Sequence, residues 1–390
     1  MKTLTALLLL VAAASAGDAL ELLRDALTKL EALDKQGAEN SLSAAIEIEP
    51  RLAKAYLARG RLRAHGDRYE EAARDLECAS RLGEDQWRRA AALYAIASAH
   101  DEAAHAYAQS WKVTGEIGDL IGLADARASA GKVESALLAY DEIVRRSSDM
   151  KAVEHLVERA RLKSAIGRHE AGIKDVDLAL RRIPRYSRAY RVRGRIRIRQ
   201  GRTEEGLANY KTATAQETAD PVAHWIFGLA QYDTGDWGGA ARSFERAIAV
   251  QRDVHDYAHL YLFLARCRTG DPAKRMQASR ELMKFLENRK RRDDWFGNLG
   301  AFLTGELEAS ELLAAARKGN KHTQREHLCE AHAYIAGKAL IAGQEPTARM
   351  HFRKARETRV VSFVEFNTAE AELTRMVTGW VKPDESDAPK

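Results

Sequence analysis

Arg188, Arg191, Arg195 and Arg199 follow one another at spacings of three, four and four residues. On a helix, that spacing aligns all four on one face. A guanidinium grips a carboxylate or a phosphate through two parallel N–H donors, so a row of them is chemistry for holding anions rather than for making bonds. The row belongs to residues 181–202, where ten of 22 positions are arginine and none is acidic. Within it, "RVRGRIRIR" alternates charged and apolar residues, which taken alone suits a β-strand.

Residues suited to catalysis are sparse. His255 and His259 stand four apart beside Asp256, and His327, Cys329 and His332 cluster at irregular spacing. Neither group has a complete ligand set, so packing or solvent is expected of both rather than metal. Asp293 and Asp294 precede Trp295 and are expected to cap a helix start. The basic run Arg289, Lys290, Arg291 and Arg292, flanked by Glu287 and those two aspartates, is expected to be a solvated loop. There is no G-x-S-x-G, H-E-x-x-H, phosphate-binding glycine loop or C-x-x-C. No enzymatic activity, cofactor or metal is expected on these grounds.

The scaffold that would position the arginines is helical. Of 390 residues, 45% are hydrophobic and 30% charged, with only 7 prolines, and Ala, Leu, Arg and Glu dominate. Lys2, the run Leu4–Ala14 and Ala14-Ser15-Ala16 ahead of Gly17 have the layout of an export signal over residues 1–16. Those eleven residues are too few to span a bilayer. A lipid-bearing cysteine would stand where Gly17 does, so the expectation is a periplasmic or secreted protein that is not a lipoprotein. Export makes nuclear targeting an unsuitable account of the arginines, although the net charge is +6. Cys78, Cys267 and Cys329 form an odd set, expected to be small buried thiols.

A period near 34 residues organises the chain. Residues 187–220 place Tyr190, Gly194, Gly201, Tyr210 and Ala213 at repeat positions 4, 8, 15, 24 and 27. Residues 221–254 place Gly228, Gly235, Ala240, Phe244 and Ala247 at 8, 15, 20, 24 and 27. Similar registers fit 153–186, 117–150 and 53–86, with weaker ones at 84–116 and 19–52. This pattern resembles the tetratricopeptide repeat. The resemblance implies an all-α, right-handed superhelical solenoid of stacked antiparallel helix pairs, each too small to bury its apolar face alone. It turns residues 187–200 into the first helix of a pair, against the local alternation. Arg193 would pack its aliphatic stem and extend its guanidinium to water.

In that family, positions 2, 5, 9, 12 and 13 of the first helix line a concave groove that takes partner peptides. Carried over, the groove residues are Arg188, Arg191, Arg195 and Arg199, with Arg161 from the preceding repeat and Trp225 and Tyr232 from the following one. Such a groove suits a protein or peptide segment bearing acidic or C-terminal carboxylates. The alternative ligand is a polyanion such as single-stranded nucleic acid.

From residue 255 onward the frame loosens. Trp295, Gly305-Glu306-Leu307, Tyr334, Gly337, Gly343, Ala348, Phe352 and Phe363-Val364-Glu365-Phe366 come in an order that resembles the C-terminal part of NlpI-type envelope proteins. Those are non-enzymatic lipoprotein adaptors that bring together peptidoglycan hydrolases and a processing protease. The implied organisation is a signal at 1–16, a repeat array at 17–254, and a module at 255–378 whose residues 363–378 close the last repeat. A polar tail at 379–390 follows, expected to be disordered.

Overall fold

The computed structural model describes residues 2–216, 222–250, 256–289, 291, 293–360 and 363–378. Among these, every regular element is an α-helix. The chain forms two compact units, Met1–Ile183 and Pro184–Lys390. In the first, α1 (Lys2–Glu31) pairs with α2 (Lys35–Ile48), α3 (Ala53–His65) with α4 (Tyr69–Arg81), and α5 (Trp87–Ile96) with α6 (His100–Thr114). Then α7 (Ile117–Ser129) pairs with α8 (Val133–Arg146), and α9 (Asp149–Ala165) with α10 (His169–Arg182). The second unit continues with α11 (Ser187–Arg199) and α12 (Thr203–Thr214), α13 (Val222–Asp233) and α14 (Trp237–Val250), and α15 (Asp256–Arg268) and α16 (Pro272–Glu287). It ends with α17 (Trp295–Thr304) and α18 (Ala309–Ala316), α19 (Lys321–Ile341) and α20 (Glu345–Glu357), and the single helix α21 (Val364–Thr378). The fold class is therefore the expected one, all-α with stacked helix pairs, and α11 is a helix despite its alternating sequence.

Close approach inside each pair explains the small residues. A Cβ added to Gly194 would lie 2.9 Å from the backbone oxygen of Gly206, and one added to Gly228 would lie 2.6 Å from the Phe244 ring. Opposite these positions Ala72, Ala136 and Ala240 are fully buried. The turn between paired helices needs a left-handed residue at position 15, and Gly131, Gly167, Gly201 and Gly235 supply it with φ between 74° and 87°. Leu33, Asp67 and Ser98 take the same conformation at φ 63°, 58° and 59°, without the glycine that would mark it in the sequence.

A second recurring device joins positions 7 and 23. Arg59 forks onto Asp75 at 3.0 and 2.8 Å, and Arg159 onto Asp175 at 2.8 and 2.6 Å, each pair bridging the two helices of one repeat. Arg63 and Lys163, one turn later, reach the same two aspartates. In α11 the equivalent residue is Arg193, which donates to Asn209 on α12 at 2.7 Å and stacks over Tyr190. It does not simply extend into water as expected, because the partner helix presents an acceptor at the matching position.

The division at Ile183 and Pro184 lies well ahead of residue 254 for a packing reason. Trp225, Tyr232, Phe244, Tyr261, Leu299 and Tyr334 belong to one continuous core, so helices on both sides of residue 254 share a unit.

Candidate functional site

On α11 the row at repeat positions 2, 5, 9 and 13 is basic. Arg195 and Arg199 are exposed, and Arg188 and Arg191 are half-buried. Behind them Gly194 and Ile196 face the core, which fixes the row outward. Burial pushes the Tyr210 phenol up, an effect partly offset by the Arg195 guanidinium, which lies against it and bonds to it. Arg161 stands on α9 in the other unit, where it donates to Glu158 of its own helix at 2.9 Å.

On α13 the same row reads Val222, Trp225, Leu229, Tyr232 and Asp233, and it is covered. Trp225 and Tyr232 are only 8% and 1% exposed, so these two expected groove aromatics are core residues and present no face to a ligand. Trp225 packs on Phe244 and Tyr261 at ring distances of 5.3 and 5.4 Å, and Tyr232 packs edge-on against Tyr261 at 5.6 Å. The cover is α21, expected to close the last repeat. It does pack Phe366, Ala369, Leu373 and Met376 against α19 and α20, but it also crosses the floor built by α13, α15 and α19.

The contacts of α21 with that floor are mostly polar. Thr368 donates to Asp233 at 2.8 Å, and Arg375 donates to the Asp233 carbonyl at 2.6 Å. Arg268 of α15 pairs with Glu372 at 2.6 Å, and Arg375 reaches the same carboxylate at 2.5 Å. Tyr334 donates to Glu365 at 3.3 Å. Trp237 lies 4.3 Å from the Arg268 guanidinium and 5.9 Å from that of Arg375. A residual cavity of about 10 Å³ beside Tyr232, Tyr261, Tyr334, Glu365 and Thr368 has room for no more than one water.

Burial dominates the electrostatics here. It pushes the Asp233 carboxyl up to about 7, with the Thr368 hydrogen bond opposing and the Glu372 charge adding to the rise. It pushes Glu365 up to about 8, reinforced by Glu330. Tyr232 rises to about 12 for the same reason, with Arg268 pulling the other way. This is an environment that holds carboxyl groups and hydroxyls through direct partners.

The remaining candidates are structural. His259 lies flat on Phe285 at 3.6 Å and is held below its ordinary value by burial, while His255 lies outside the described residues. His327 stacks on Trp295 at 4.1 Å, and Cys329 is fully buried. His332 shares a hydrogen bond of 2.9 Å with His351, and burial lowers it to about 4. All three cysteines are free thiols. Asp294 caps α17 by accepting from the Gly297 amide at 2.7 Å, as its position predicts. Arg289 was expected in a solvated loop, but it forks onto Asp294 at 3.0 and 2.9 Å, pairs with Asp256 at 2.8 Å and covers Phe296. Lys290 and Arg292 lie outside the described residues. Among the described residues no group of three or more His, Cys, Asp and Glu could hold a metal ion, and no helix is long and apolar enough to cross a membrane.

No family description matches the sequence, and no curated protein matches it. Solved structures do. A tetratricopeptide repeat protein from Parabacteroides merdae is 17% identical with a TM-score of 0.42, covering 64% of this chain and 99% of its own. The C-terminal part of a TPR repeat-containing protein from Cytophaga hutchinsonii is 14% identical with a TM-score of 0.40, covering 72% and 98%. A thermophilic TPR protein of Thermus thermophilus is 20% identical with a TM-score of 0.36, covering 45% and 95%. At such identities and scores the likenesses carry no argument of their own. What defines the fold is this chain's own repeated helix pair, with its close contact at position 8 and its left-handed turn at position 15.

Proposed function

We propose that the chain is a non-enzymatic protein-binding scaffold of tetratricopeptide type, and that the α11 arginine row takes a partner segment bearing carboxylates. The observation that carries this reading is the exposure of Arg195 and Arg199 on a concave row whose neighbour, α13, is already engaged by a helix held through carboxylates. An adjacent surface with more guanidinium and less cover suits the same class of ligand. Arg161 is not needed for it.

The reading extends to location and setting. Residues 1–16 act as an export signal, the mature chain works in the cell envelope without a lipid anchor, and the C-terminal module is of the NlpI-like adaptor kind. Envelope proteases or peptidoglycan hydrolases are then the partners by resemblance. N-terminal sequencing of the exported protein should begin at Gly17.

The decisive test compares the mature protein with an Arg191→Glu, Arg195→Glu, Arg199→Glu variant for binding of a labelled glutamate-rich peptide and of a single-stranded oligonucleotide. Loss of peptide binding in the folded variant supports the reading, and equal binding by both proteins overturns it. Preference for the oligonucleotide, with a log–log salt slope of about −3 to −4, would make the row a polyanion site instead.

A further inference from the structure

The buried face of α21 is unusual for a helix that closes a repeat array. It consists of Glu365, Thr368, Ala369 and Glu372, so three of its four members are polar and they recur at i, i+3 and i+7. A permanent cap needs only apolar residues there. Instead each polar group meets a dedicated partner on the floor: Glu365 meets Tyr334, Thr368 meets Asp233, and Glu372 meets Arg268. Burying such pairs is close to break-even in free energy, because desolvation offsets most of the attraction, so this face adds selectivity more than stability.

We propose that the floor of α13, α15 and α19 is a receptor for an amphipathic helix bearing a carboxyl group, a hydroxyl and a carboxylate at i, i+3 and i+7, and that α21 occupies it as an internal stand-in which such a partner helix displaces. The proposal rests on the scaffold reading and names the chemistry of the partner. The floor fixes the pattern: Arg268, 10% exposed at its side chain, accepts only an anion, while Asp233 accepts a hydroxyl donor. Tyr334 and Tyr261 are 1% and 2% exposed beneath α21, where the Tyr334 hydroxyl donates to the Glu365 carboxyl group. The aromatic wall of Trp225, Tyr232 and Tyr261 excludes a bulky side chain between the polar contacts. The α13 side of the floor packs against α11, the helix that carries Arg195 and Arg199.

The test uses the full-length chain and a labelled peptide of residues 361–380. In the wild-type protein α21 competes with the peptide. Glu372→Gln weakens the internal helix and leaves the floor intact, so it should tighten peptide binding about tenfold, the factor by which occlusion lowers apparent affinity when one site in ten is open. Arg268→Gln damages the floor and should weaken binding. An Asp233→Cys, Thr368→Cys pair, at side chains that meet at 2.8 Å, should bind no peptide when oxidised and, because it also removes the Asp233 acceptor from the floor, should bind when reduced only as well as Asp233→Ser does. Native Cys267 and Cys329 are buried, with thiols pushed up to about 11, and stay out of that reaction. Hydrogen exchange of α21 should rise on adding peptide to the wild type. If Glu372→Gln and the wild type bind alike, or the oxidised pair binds as well as the reduced one, α21 is a fixed cap and the proposal is wrong. The α11 row would be unaffected by that outcome, because its glutamate-rich peptide test does not depend on α21 leaving.

Discussion

Helices α11 and α13 are consecutive first helices of the same unit, built on the same frame, yet their concave rows have opposite fates. One is Arg188, Arg191, Arg195 and Arg199, with its last two residues exposed. The other is Val222, Trp225, Leu229, Tyr232 and Asp233, buried or half-buried, with α21 against its Tyr232 and Asp233 end. The backbone does not distinguish them, since both helices end in a left-handed glycine, Gly201 at φ 76° and Gly235 at φ 87°. The difference is what lies on top. A row that looks like a ligand surface in the repeat frame becomes core when the chain supplies its own ligand.

Truncation should separate the two rows most strongly. Trp225→Ala and Tyr232→Ala should each cost about 3–5 kcal/mol, while Arg195→Ala and Arg199→Ala stay within about 0.5 kcal/mol, read from urea unfolding of the C-terminal unit. Equal costs would erase the distinction. Next, removing the shared carboxylate with Glu372→Ala should cost about 3 kcal/mol or more by leaving Arg268 and Arg375 enclosed without an anion. The double change Arg268→Met, Glu372→Leu should recover part of that, with Arg375 still lacking its carboxylate.

The covered row should also respond to pH. Asp233 and Glu365, pushed up to about 7 and 8, stay protonated in the folded protein at pH values where the unfolded chain has released both protons. Stability should therefore fall as pH rises from 7.5 to 8.5, by about 1 kcal/mol. The buried histidines, whose folded values are lowered, act in the opposite direction as pH rises through the ordinary imidazole range near 6.5, and above about 7.5 they are almost wholly neutral in both states. Asp233→Asn with Glu365→Gln should flatten the profile, and an unchanged slope would refute the assignment. The smallest effects test the shared backbone. Gly201→Ala and Gly235→Ala should cost about 1 kcal/mol each, alike in the two rows, whereas Leu33→Gly should stabilise the protein by about the same amount.

Much of this architecture is legible in the sequence because it is local. Glycine or alanine at position 8, glycine at 15 and alanine at 27 give the registers, and the boundaries of α21 follow from the chain after Phe363. The paired Arg and Asp at positions 7 and 23 of two repeats, 16 residues apart, carried a readable signal for the ion pairs of α3–α4 and α9–α10 that the small-residue pattern overshadows. The occupancy of the α13 row is different. It depends on contacts such as Arg268 with Glu372 and Arg375 with Asp233, separated by 104 and 142 residues, and no periodicity reports those. Leu33, Asp67 and Ser98 were hidden for another reason: a side chain that tolerates the left-handed turn at a cost leaves no compositional mark.

The separation between the floor and its cover also sets an order of events during synthesis. The floor begins at α13, and its cover is made after all three of its helices; Asp233 and its partner Thr368 are 135 residues apart. At about 5–20 residues per second, a ribosome needs roughly 7–27 s to cross that gap. For most of that interval the nascent chain carries α13 and α15, with Asp233 at their edge, before α19 completes the floor at Ile341 and α21 fills it. A helper or partner present at birth meets an open receptor, whereas one that arrives later must compete with the finished chain.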